Sequence, residues 1–463
     1  MKYISTRGNV GEIGFIDAFM MGLGDDGGLL VPKEIPAVSP EKLQAWQKLS
    51  YQELVLEIFS LYTNGEIPEQ DLKEMVYASY STFRDPEVTP VRKLKDELYL
   101  LELFHGPTFA FKDIALQFMG QLYTYVARKY GKKIHILGAT SGDTGASAIE
   151  GVRGKEGIKI CILHPNGKVS KVQELQMTTV QDGNVLNLSV EGNFDDCQRM
   201  IKDLFADLDF KEKHHLAAIN SINFIRIMAQ TVYYFYAYFQ VANKIGSQKV
   251  NFSVPTGNFG DIFAGYLAKR MGLPVGKLIL ATNENNILER FINEGVYMPG
   301  DFRTTYSPSM DIQVASNFER YLYYVLGENP ETIRSLMESF KAEGKIVISE
   351  EALRKVQSEF ASYGVVGQEC LDTISKYKAE AGYLLDPHSA CGVAAVEKCA
   401  AGETTVSLAT AHPAKFNEAI ALCGIEQQFP PQIKALFDKP QRQTLVDGSL
   451  DEVVRELVAF YRQ

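Results

Sequence analysis

Alternation between short apolar segments and helical patterns is the feature that most limits the fold of this chain. From about residue 95, segments such as Lys133–Leu137, Lys159–His164 and Val250–Val254 are each followed by apolar residues at helical spacing. Strands that alternate with helices form α/β domains with largely parallel sheets. Because 463 residues exceed what one ordinary core accommodates, we expect two or three domains. Residues 316–400 are expected to be mostly helical.

The first part of the chain has a different pattern. It begins with a predicted strand at Tyr3–Ser5, and two amphipathic helices are predicted at Tyr51–Tyr62 and Pro68–Phe83. This mixture predicts an N-terminal α+β region with a structural role. The predicted division of the chain is therefore 1–95, 96–215 and 216–463.

Composition excludes several classes of function. The net charge of −10 argues against nucleic acid or an anionic membrane as a partner. The six cysteines form no CxxC pair, which indicates reduced thiols in a cytoplasmic protein and predicts no metal site. The most apolar long stretch, 231–242, is shorter than the roughly 20 residues that span a bilayer, and it predicts a buried helix instead. The start of the chain lacks the apolar segment of a secretory signal.

Lys112 lies in His105–Asp113 (HGPTFAFKD), between a predicted strand and a helical pattern that begins at once. The positive end of a helix dipole disfavours an ammonium group. We therefore expect Lys112 either to lose its proton readily or to be covalently occupied. Both states suit an amine that forms a Schiff base. The alternative is a surface lysine that follows a turn.

The segment Gly138–Gly145 (GATSGDTG) connects a predicted strand to a predicted helix. Its glycines and the hydroxyl groups of Thr140, Ser141 and Thr144 suit an anion such as a carboxylate at a helix N-terminus. Asp143 would repel an anion, so it either caps the helix or accepts a hydrogen bond from a protonated ligand group. A plain N-capping turn is the alternative for the whole segment.

The segment Pro255–Asp261 (PTGNFGD) likewise connects a predicted strand to a helix. Gly257 and Gly260 let the backbone approach a ligand closely, and successive N–H groups at a helix N-terminus bind phosphate. The segment matches neither GxGxxG nor GxxxxGKS/T, so neither a dinucleotide nor a nucleoside triphosphate is indicated. A phosphate on a smaller cofactor remains, and a purely structural turn is an equal alternative.

A third strand end lies in Thr405–Phe416 (TVSLATAHPAKF), where His412 and Pro413 are predicted to open the next helix. Thr410 offers a neutral hydroxyl at this strand end. Such a hydroxyl facing a pyridine nitrogen would leave that nitrogen unprotonated. A threonine that satisfies local backbone groups is an equal alternative.

Polar groups also cluster in Ala218–Arg226 (AINSINFIR), near the start of a predicted helix. Arginine binds phosphate through two parallel hydrogen bonds, which favours Arg226 as a phosphate ligand. Lys168 in HPNGKVSK, with Lys171 as a substitute, would add a second cation. The alternative is a set of capping residues and a solvated arginine, and it applies more strongly to Asn223 than to Arg226.

Together the segments HGPTFAFKD, SGDTG, GNFGD and TAHPAKF, in this order, resemble the pyridoxal-phosphate enzymes of the tryptophan-synthase-β type. Within that type the chain is similar to the threonine synthase family. Its opening, TRGNVGEIGF followed by GLGDDGGLLVP, resembles the longer form, which has an extra N-terminal region. The resemblance covers nearly the whole chain. It implies the fold of this enzyme type, two three-layer α/β/α domains with mostly parallel sheets plus an N-terminal α+β region, with pyridoxal 5′-phosphate as cofactor.

The resemblance also implies roles for individual residues. Lys112 would form the Schiff base and transfer protons, Thr410 would face the pyridine nitrogen, and Asp143 would lie near the 3-oxygen of the cofactor. The cofactor phosphate would be bound by one loop, Gly257, Asn258, Phe259, Gly260 and Asp261. The substrate carboxylate would be bound by Ser141, Gly142 and Thr144. The substrate phosphate would be bound by Lys168, Asn220, Ser221 and Arg226.

The implied reaction converts O-phospho-L-homoserine and water to L-threonine and phosphate, in a monomer or homodimer. Rival hypotheses of the same fold type are a serine/threonine dehydratase, a cysteine synthase and an O-phosphohomoserine phospho-lyase. A rival of another class is a non-catalytic sensor of a phosphate ligand, against which Lys112 argues. A cationic pocket of phosphate size is the feature that separates the implied reaction from the rival enzymes, and a sensor would lack the visible absorbance of a Schiff base.

Overall fold

The computed structural model describes residues 1–246 and 249–462. Within these residues the strands are β1 (Tyr3–Ser5), β2 (Leu30–Pro32), β3 (Val91–Lys95), β4 (Leu98–Glu102), β5 (Ile134–Ala139), β6 (Ile158–Pro165), β7 (Val185–Val190), β8 (Leu216–Ala218), β9 (Val250–Pro255), β10 (Val275–Thr282), β11 (Val296–Tyr297), β12 (Ile346–Val347), β13 (Phe360–Gly364), β14 (Thr405–Ala409) and β15 (Thr444–Val446).

The α-helices of the same residues are α1 (Phe15–Met21), α2 (Pro40–Trp46), α3 (Tyr51–Thr63), α4 (Glu69–Tyr80), α5 (Lys112–Tyr130), α6 (Asp143–Val152), α7 (Lys171–Thr178), α8 (Phe194–Ala206), α9 (Leu208–Lys213), α10 (Phe224–Ile245), α11 (Gly260–Arg270), α12 (Ile287–Glu294), α13 (Phe318–Val325), α14 (Pro330–Glu343), α15 (Glu350–Glu359), α16 (Gly367–Ala381), α17 (Pro387–Cys399), α18 (Asn417–Leu422), α19 (Pro431–Lys434) and α20 (Leu450–Arg462). Two short 3-10 helices span Pro308–Met310 and Pro413–Phe416. None of the helices formed by the described residues is long and apolar enough to cross a membrane.

The predicted alternation of strands and helices is confirmed, and the apolar stretch 231–242 lies within the helix α10. Residues 316–400 are mostly helical, as expected, and β13 is an exception that pairs in parallel with β10 in the register Leu278 to Phe360. The sequence of β13, FASYG, lacks β-branched residues. Its pairing with β10, a strand distant in sequence, stabilises its strand conformation.

Contacts divide the chain into two compact units. The larger unit comprises Met1–Val76, Asp85–His105 and Ser221–Glu426. The smaller unit comprises Tyr77–Arg84, Gly106–Asn220 and Gln427–Gln463. These units differ from the predicted division because β4 pairs with β14, and β15 pairs with β7. Both pairings join segments far apart in sequence, which hydrophobic patterning does not reveal.

A six-stranded sheet with the order β13-β10-β9-β14-β4-β3 forms the core of the larger unit. Its neighbouring strands are parallel except for β3, which is antiparallel to β4. Ile279 and Ala281 of β10 pack in one apolar cluster with α16 and α17. Leu278 faces α11, since a methyl group at Gly265 would lie 3.0 Å from Leu278 Cδ2. Successive strand residues point to opposite faces, so helices cover both faces of this sheet.

The smaller unit contains a five-stranded parallel sheet with the order β15-β7-β6-β5-β8. Leu137, Cys161 and Leu188 of this sheet pack in an apolar cluster with α8 and α20. The segment after β5 leads into α6, and in the larger unit the segment after β9 leads into α11. Ligands of parallel α/β sheets bind at such carboxyl ends of strands. These two loops are therefore the places where each unit is expected to bind ligands.

Candidate active site

The segment around Lys112 is held by the buried carboxylate of Asp113. Asp113 accepts hydrogen bonds from Thr108 N and Thr108 Oγ1, each at 2.7 Å, and from Ser147 Oγ at 2.6 Å. Ser147 lies on α6, so one carboxylate joins the Lys112 segment to the helix that follows GATSGDTG. Lys112 itself is the first residue of α5, which confirms its predicted place at a helix start.

Arg84 is a second support of this segment, and sequence reasoning missed it. Its Nη1 donates to Gly106 O at 2.6 Å, and its guanidinium carbon lies 3.4 Å from the centre of the Phe109 ring. Phe109 has a φ of 60°, a left-handed conformation that a non-glycine residue keeps only when its neighbours hold it. Burial lowers the pKa of Arg84 to about 10, against the opposing effect of the Asp113 carboxylate. Arg84 thus stabilises a strained backbone just before Lys112.

Asp143 is the acidic partner of Lys112. Lys112 Nζ lies 3.6 Å from Asp143 Oδ2, and Gln173 Nε2 donates to Asp143 Oδ1 at 2.8 Å. Gln173 was not predicted, and its position on α7 gives no sequence signal for this contact. The helix-capping alternative for Asp143 is wrong, because Gly142 is the N-cap of α6 and Asp143 is its first residue. Asp143 and Lys112 are therefore brought together by the fold.

The GATSGDTG loop uses one hydroxyl to fix its own backbone. Thr140 Oγ1 accepts the N–H groups of Gly142 at 3.0 Å and of Gly145 at 2.9 Å. Ser141 is exposed and Thr144 is half-buried. The hydroxyl groups of Ser141 and Thr144 thus remain candidate ligands of a carboxylate, whereas the Gly142 N–H is already engaged within the loop.

The GNFGD loop enters α11 through a left-handed residue, Phe259, with a φ of 63°. The Phe259 ring packs against Phe318 at a centroid distance of 5.4 Å, which turns the side chain away and leaves backbone groups to line the loop. Among the described residues, no side chain caps the first turn of α11. Its first N–H groups are thus available to an anion, as the sequence predicted for Gly257–Asp261.

Asn317 and Arg320 support this loop from α13 and its N-cap, and sequence reasoning missed both. Asn317 Nδ2 donates to Asn258 O and to Ser221 O, each at 3.1 Å. Arg320, which is fully buried, donates from Nη1 to Asn317 Oδ1 and from Nη2 to Ile222 O at 2.6 Å. One amide therefore brings two predicted ligand residues, Ser221 and Asn258, to the same place.

The side chain of Asp261 points away from the loop. Its Oδ1 accepts hydrogen bonds from Tyr233 Oη at 2.5 Å and from Tyr234 Oη at 2.9 Å, both on α10. Burial raises the pKa of this carboxyl to about 6, although the two tyrosine hydrogen bonds act in the opposite direction. Any contact of Asp261 with a cofactor phosphate would thus come from its backbone N–H.

Arg226 lies in the first turn of α10 and is 4% exposed, so the alternative of a solvated arginine is wrong. Burial lowers its pKa to about 10, and its Nη1 has no hydrogen-bond partner within the described residues. The next residue, Ile227, lies against the start of α11, since a methyl group at Gly260 would be 3.4 Å from Ile227 Cδ1. A buried cation in the first turn of α10, near the positive end of the helix dipole, is costly without an anion. The arrangement therefore favours an anion site.

The remaining residues of this group have different environments. Asn223 caps α10 by accepting Ile225 N at 3.1 Å, as its capping alternative proposed. In the smaller unit, the buried Asn220 Oδ1 has no partner among the described residues. Lys168 is exposed and donates to Gly192 O at 2.9 Å. Its environment is therefore not that of a buried anion-binding residue. Thr410 is buried directly after β14, and Pro413–Phe416 forms a 3-10 helix before α18.

Known proteins resemble this chain over nearly its whole length. Three family models match the chain: threonine synthase N terminus over residues 2–80, pyridoxal-phosphate dependent enzyme over 84–411, and threonine synthase, C-terminal, over 389–458. The chain is 46% identical to a threonine synthase of Schizosaccharomyces pombe, with 91% of this chain and 89% of that protein covered. A threonine synthase of Pseudomonas aeruginosa is 45% identical, with 98% and 97% covered.

A crystal structure of PLP-bound threonine synthase from Brucella melitensis superimposes with a TM-score of 0.96 at 45% identity, covering 100% of both chains. The fold is thus the mixed α/β fold with mostly parallel sheets that the sequence predicted. Matched family models extend over nearly the whole chain, including both ends. The chain therefore belongs to the threonine synthase family of pyridoxal-phosphate-dependent enzymes.

Proposed function

We propose that this chain is a threonine synthase that converts O-phospho-L-homoserine and water to L-threonine and phosphate. The observation that carries the substrate assignment is the buried Arg226, whose Nη1 has no partner within the described residues. Asn220 and Ser221 precede it in sequence, and they would complete the site for the substrate phosphate. Lys168 remains a weaker candidate for that site because it is exposed.

The residues present fit pyridoxal 5′-phosphate. The first turn of α11 lacks a side-chain cap among the described residues, and Gly257 has no room for a Cβ, so its loop is a phosphate cradle formed by backbone. Gly257–Asp261 would bind the cofactor phosphate, Thr410 would face the pyridine nitrogen, and Asp143 would lie near the 3-oxygen. When bound, the cofactor takes up the negative charge that forms on the substrate carbon next to the amino group.

Lys112 is the residue that moves protons in the proposed reaction. Its Nζ accepts the proton from the substrate α-carbon, and Asp143 Oδ2 at 3.6 Å stabilises the resulting ammonium. A β-proton is lost as phosphate leaves the γ-carbon, and Arg226 balances the charge of the departing phosphate. Water then adds at the β-carbon, and protons return to the α- and γ-carbons, with Lys112 as the donor in this chain. The sum consumes one water molecule and releases one phosphate.

Ser141 and Thr144 are proposed to hold the substrate carboxylate through their hydroxyl groups. Their loop is rigid because Thr140 Oγ1 accepts two backbone N–H groups. When the substrate carboxylate is fixed, the α-proton points in one direction. Lys112 requires this orientation, because a single amine can take the proton from one side of the substrate only. Cytoplasmic location and a monomeric or homodimeric state complete the proposal.

Product analysis tests this function directly. Purified protein is incubated with O-phospho-L-homoserine, and both phosphate and the organic product are identified. We expect equal amounts of phosphate and threonine, and loss of both in Lys112→Ala. Lys129→Ala, which changes a lysine in the last turn of the same helix, is the matched control and should remain active. Release of 2-oxobutanoate instead of threonine would indicate a phospho-lyase, and normal turnover by Lys112→Ala would refute the mechanism.

A further inference from the structure

The 3-10 helix Pro308–Met310 packs directly against the GNFGD loop. A methyl group at Gly257 would lie 2.6 Å from Ser309 O and 3.4 Å from Met310 Cα. Backbone therefore packs directly on backbone at this point, without a side chain between them. Any displacement of Ser309 would be transmitted to Gly257 and to the N–H groups that follow it.

Ser309 is in turn held by a buried histidine. Ser309 N donates to His388 Nε2 at 3.1 Å, and His388 Nδ1 lies 2.8 Å from Asp386 Oδ1. Because Nε2 accepts, Nδ1 carries the ring proton and donates it to the carboxylate. The side chains of His388 and Asp386 are 5% and 0% exposed. The neutral histidine and its tautomer are thus set by two partners on opposite sides of the ring.

Asp386 is itself fixed at the N-terminus of α17. Its Oδ1 accepts His388 N at 2.9 Å, and its Oδ2 accepts Ser389 N at 3.2 Å and the hydroxyl of Ser389. This carboxylate is therefore both the cap of α17 and the acceptor for the His388 ring. The chain of contacts Asp386, His388, Ser309, Gly257 runs from a helix of the core to the loop.

We propose that His388, oriented by Asp386, is a positioning residue for the cofactor phosphate. The inference rests on the proposed assignment of Gly257–Asp261 to that phosphate. His388 accepts the Ser309 N–H and so fixes the position of Ser309. Ser309 packs against Gly257 and thereby fixes the Gly257 backbone, so that the successive N–H groups of the loop point toward one anion. The ring of His388 touches neither substrate nor reacting atoms in this role. Its effect is therefore confined to ligands that carry a phosphate.

This restriction gives the test. Pyridoxal has the same aldehyde and ring as pyridoxal 5′-phosphate but no phosphate, and both bind through Lys112. Cofactor-free protein, prepared from the holoenzyme with hydroxylamine, is titrated with each compound, and the visible Schiff-base absorbance gives two dissociation constants. His388→Leu removes the acceptor at similar volume. His388→Gln keeps an acceptor, since its Oε1 can take the Ser309 N–H.

We expect His388→Leu to weaken pyridoxal 5′-phosphate binding about tenfold or more, because the partly buried Ser309 N–H loses its partner. Binding of pyridoxal should change less than about twofold, and His388→Gln should recover most of the lost affinity. His135→Leu, a truncation of another buried histidine in the smaller unit, controls for general destabilisation and should leave both constants unchanged. His388→Met, made in parallel, replaces His388→Leu if the branched side chain prevents folding.

Several results would overturn the proposal. Equal weakening of both compounds by His388→Leu would show a structural role alone, and no weakening of either would show that Ser309 needs no support. Failure of His388→Gln to recover affinity would exclude the acceptor as the cause. A wild-type protein that binds the two compounds equally would instead refute the phosphate assignment of the loop, and the positioning role with it.

Discussion

Lys112 Nζ lies 3.6 Å from Asp143 Oδ2. The helix dipole of α5, considered alone, disfavours an ammonium at its first residue, and the sequence argument used only that effect. The Asp143 carboxylate opposes the dipole, because an opposite charge within about 4–6 Å favours the charged form. The helix dipole thus favours the neutral amine of Lys112, and the Asp143 carboxylate favours its ammonium. This balance suits a group that accepts and returns protons.

Gln173 is expected to fix the position of the Asp143 carboxylate beside Lys112. Gln173→Leu removes the donor to Asp143 Oδ1, and a hydrogen bond to a charged group contributes about 1.5–3 kcal/mol. We expect kcat/KM for threonine formation to fall roughly 10- to 100-fold. Gln173→Glu should be worse, since it places a second carboxylate beside Asp143. Glu174→Gln, which changes the adjacent residue of the same helix and removes its ion pair with Lys171, is the control; equal activity of Gln173→Leu and this control would contradict the role.

Arg226 and Lys168 should differ in their effect on substrate affinity. Arg226 is buried with Nη1 lacking a partner in the described part of the chain, whereas Lys168 is exposed and bonded to a backbone carbonyl. Arg226→Met should raise KM for O-phospho-L-homoserine and the inhibition constant of inorganic phosphate by at least about tenfold. Lys168→Met should change both less than about threefold. Steady-state kinetics with phosphate as inhibitor measure both values, and the reverse order would move the phosphate site to Lys168.

Two glycines of the same loop should tolerate alanine differently. A methyl group at Gly257 would meet the Ser309 carbonyl at 2.6 Å, whereas one at Gly260 would meet the end of the Asn317 side chain at 3.2 Å. The backbone carbonyl of Ser309 can move less than the side-chain amide of Asn317. Gly257→Ala should therefore weaken cofactor binding about tenfold or more, and Gly260→Ala should weaken it by a smaller factor. Titration of cofactor-free protein gives the constants. A larger effect at Gly260 would mean that the carbonyl of Ser309 is not the limiting contact.

Asp261 predicts a pH dependence of stability. Burial raises the pKa of its carboxyl from 3.8 to about 6, so the folded chain retains this proton at pH values where the unfolded chain has lost it. The protonated Asp261 carboxyl therefore contributes its full stabilisation of the fold below about pH 4, and this contribution is lost as the pH rises through about 6. Asp261→Asn keeps Oδ1 for both tyrosines and carries no titratable group. The free energy of unfolding of the wild type should therefore fall relative to this variant by up to about 3 kcal/mol across that range.

Thermal unfolding of cofactor-free protein between pH 4 and 7 measures this difference, and removal of the cofactor excludes its own binding from the comparison. Asp195→Asn alters an exposed aspartate and should run parallel to the wild type. A constant difference between wild type and Asp261→Asn over the whole range would show that Asp261 is ionised in the fold throughout.

Much of the candidate site could be predicted from the sequence because its residues lie in short contiguous segments. HGPTFAFKD, GATSGDTG and PTGNFGD each combine small residues with a strand before and a helix after them, and local order determines such a turn. The residues that were missed act across long separations. Arg84 reaches Gly106, Gln173 reaches Asp143, and His388 reaches Ser309. Neither their type nor their spacing marks them, because single polar residues are common throughout a chain of this composition.

The α/β class, the place of Lys112 at a helix start and the strand-to-helix loops proposed to bind ligands could be predicted from the sequence, since hydrophobic period and turn chemistry are local properties. Only the tertiary structure decided which strands share a sheet: β4 joins β14, and β15 returns to β7. It also decided that the Asp261 carboxylate accepts hydrogen bonds from two tyrosines of α10. The physical reason is that hydrogen bonds are directional and short, so their partners are fixed only when packing has brought distant segments within about 3 Å.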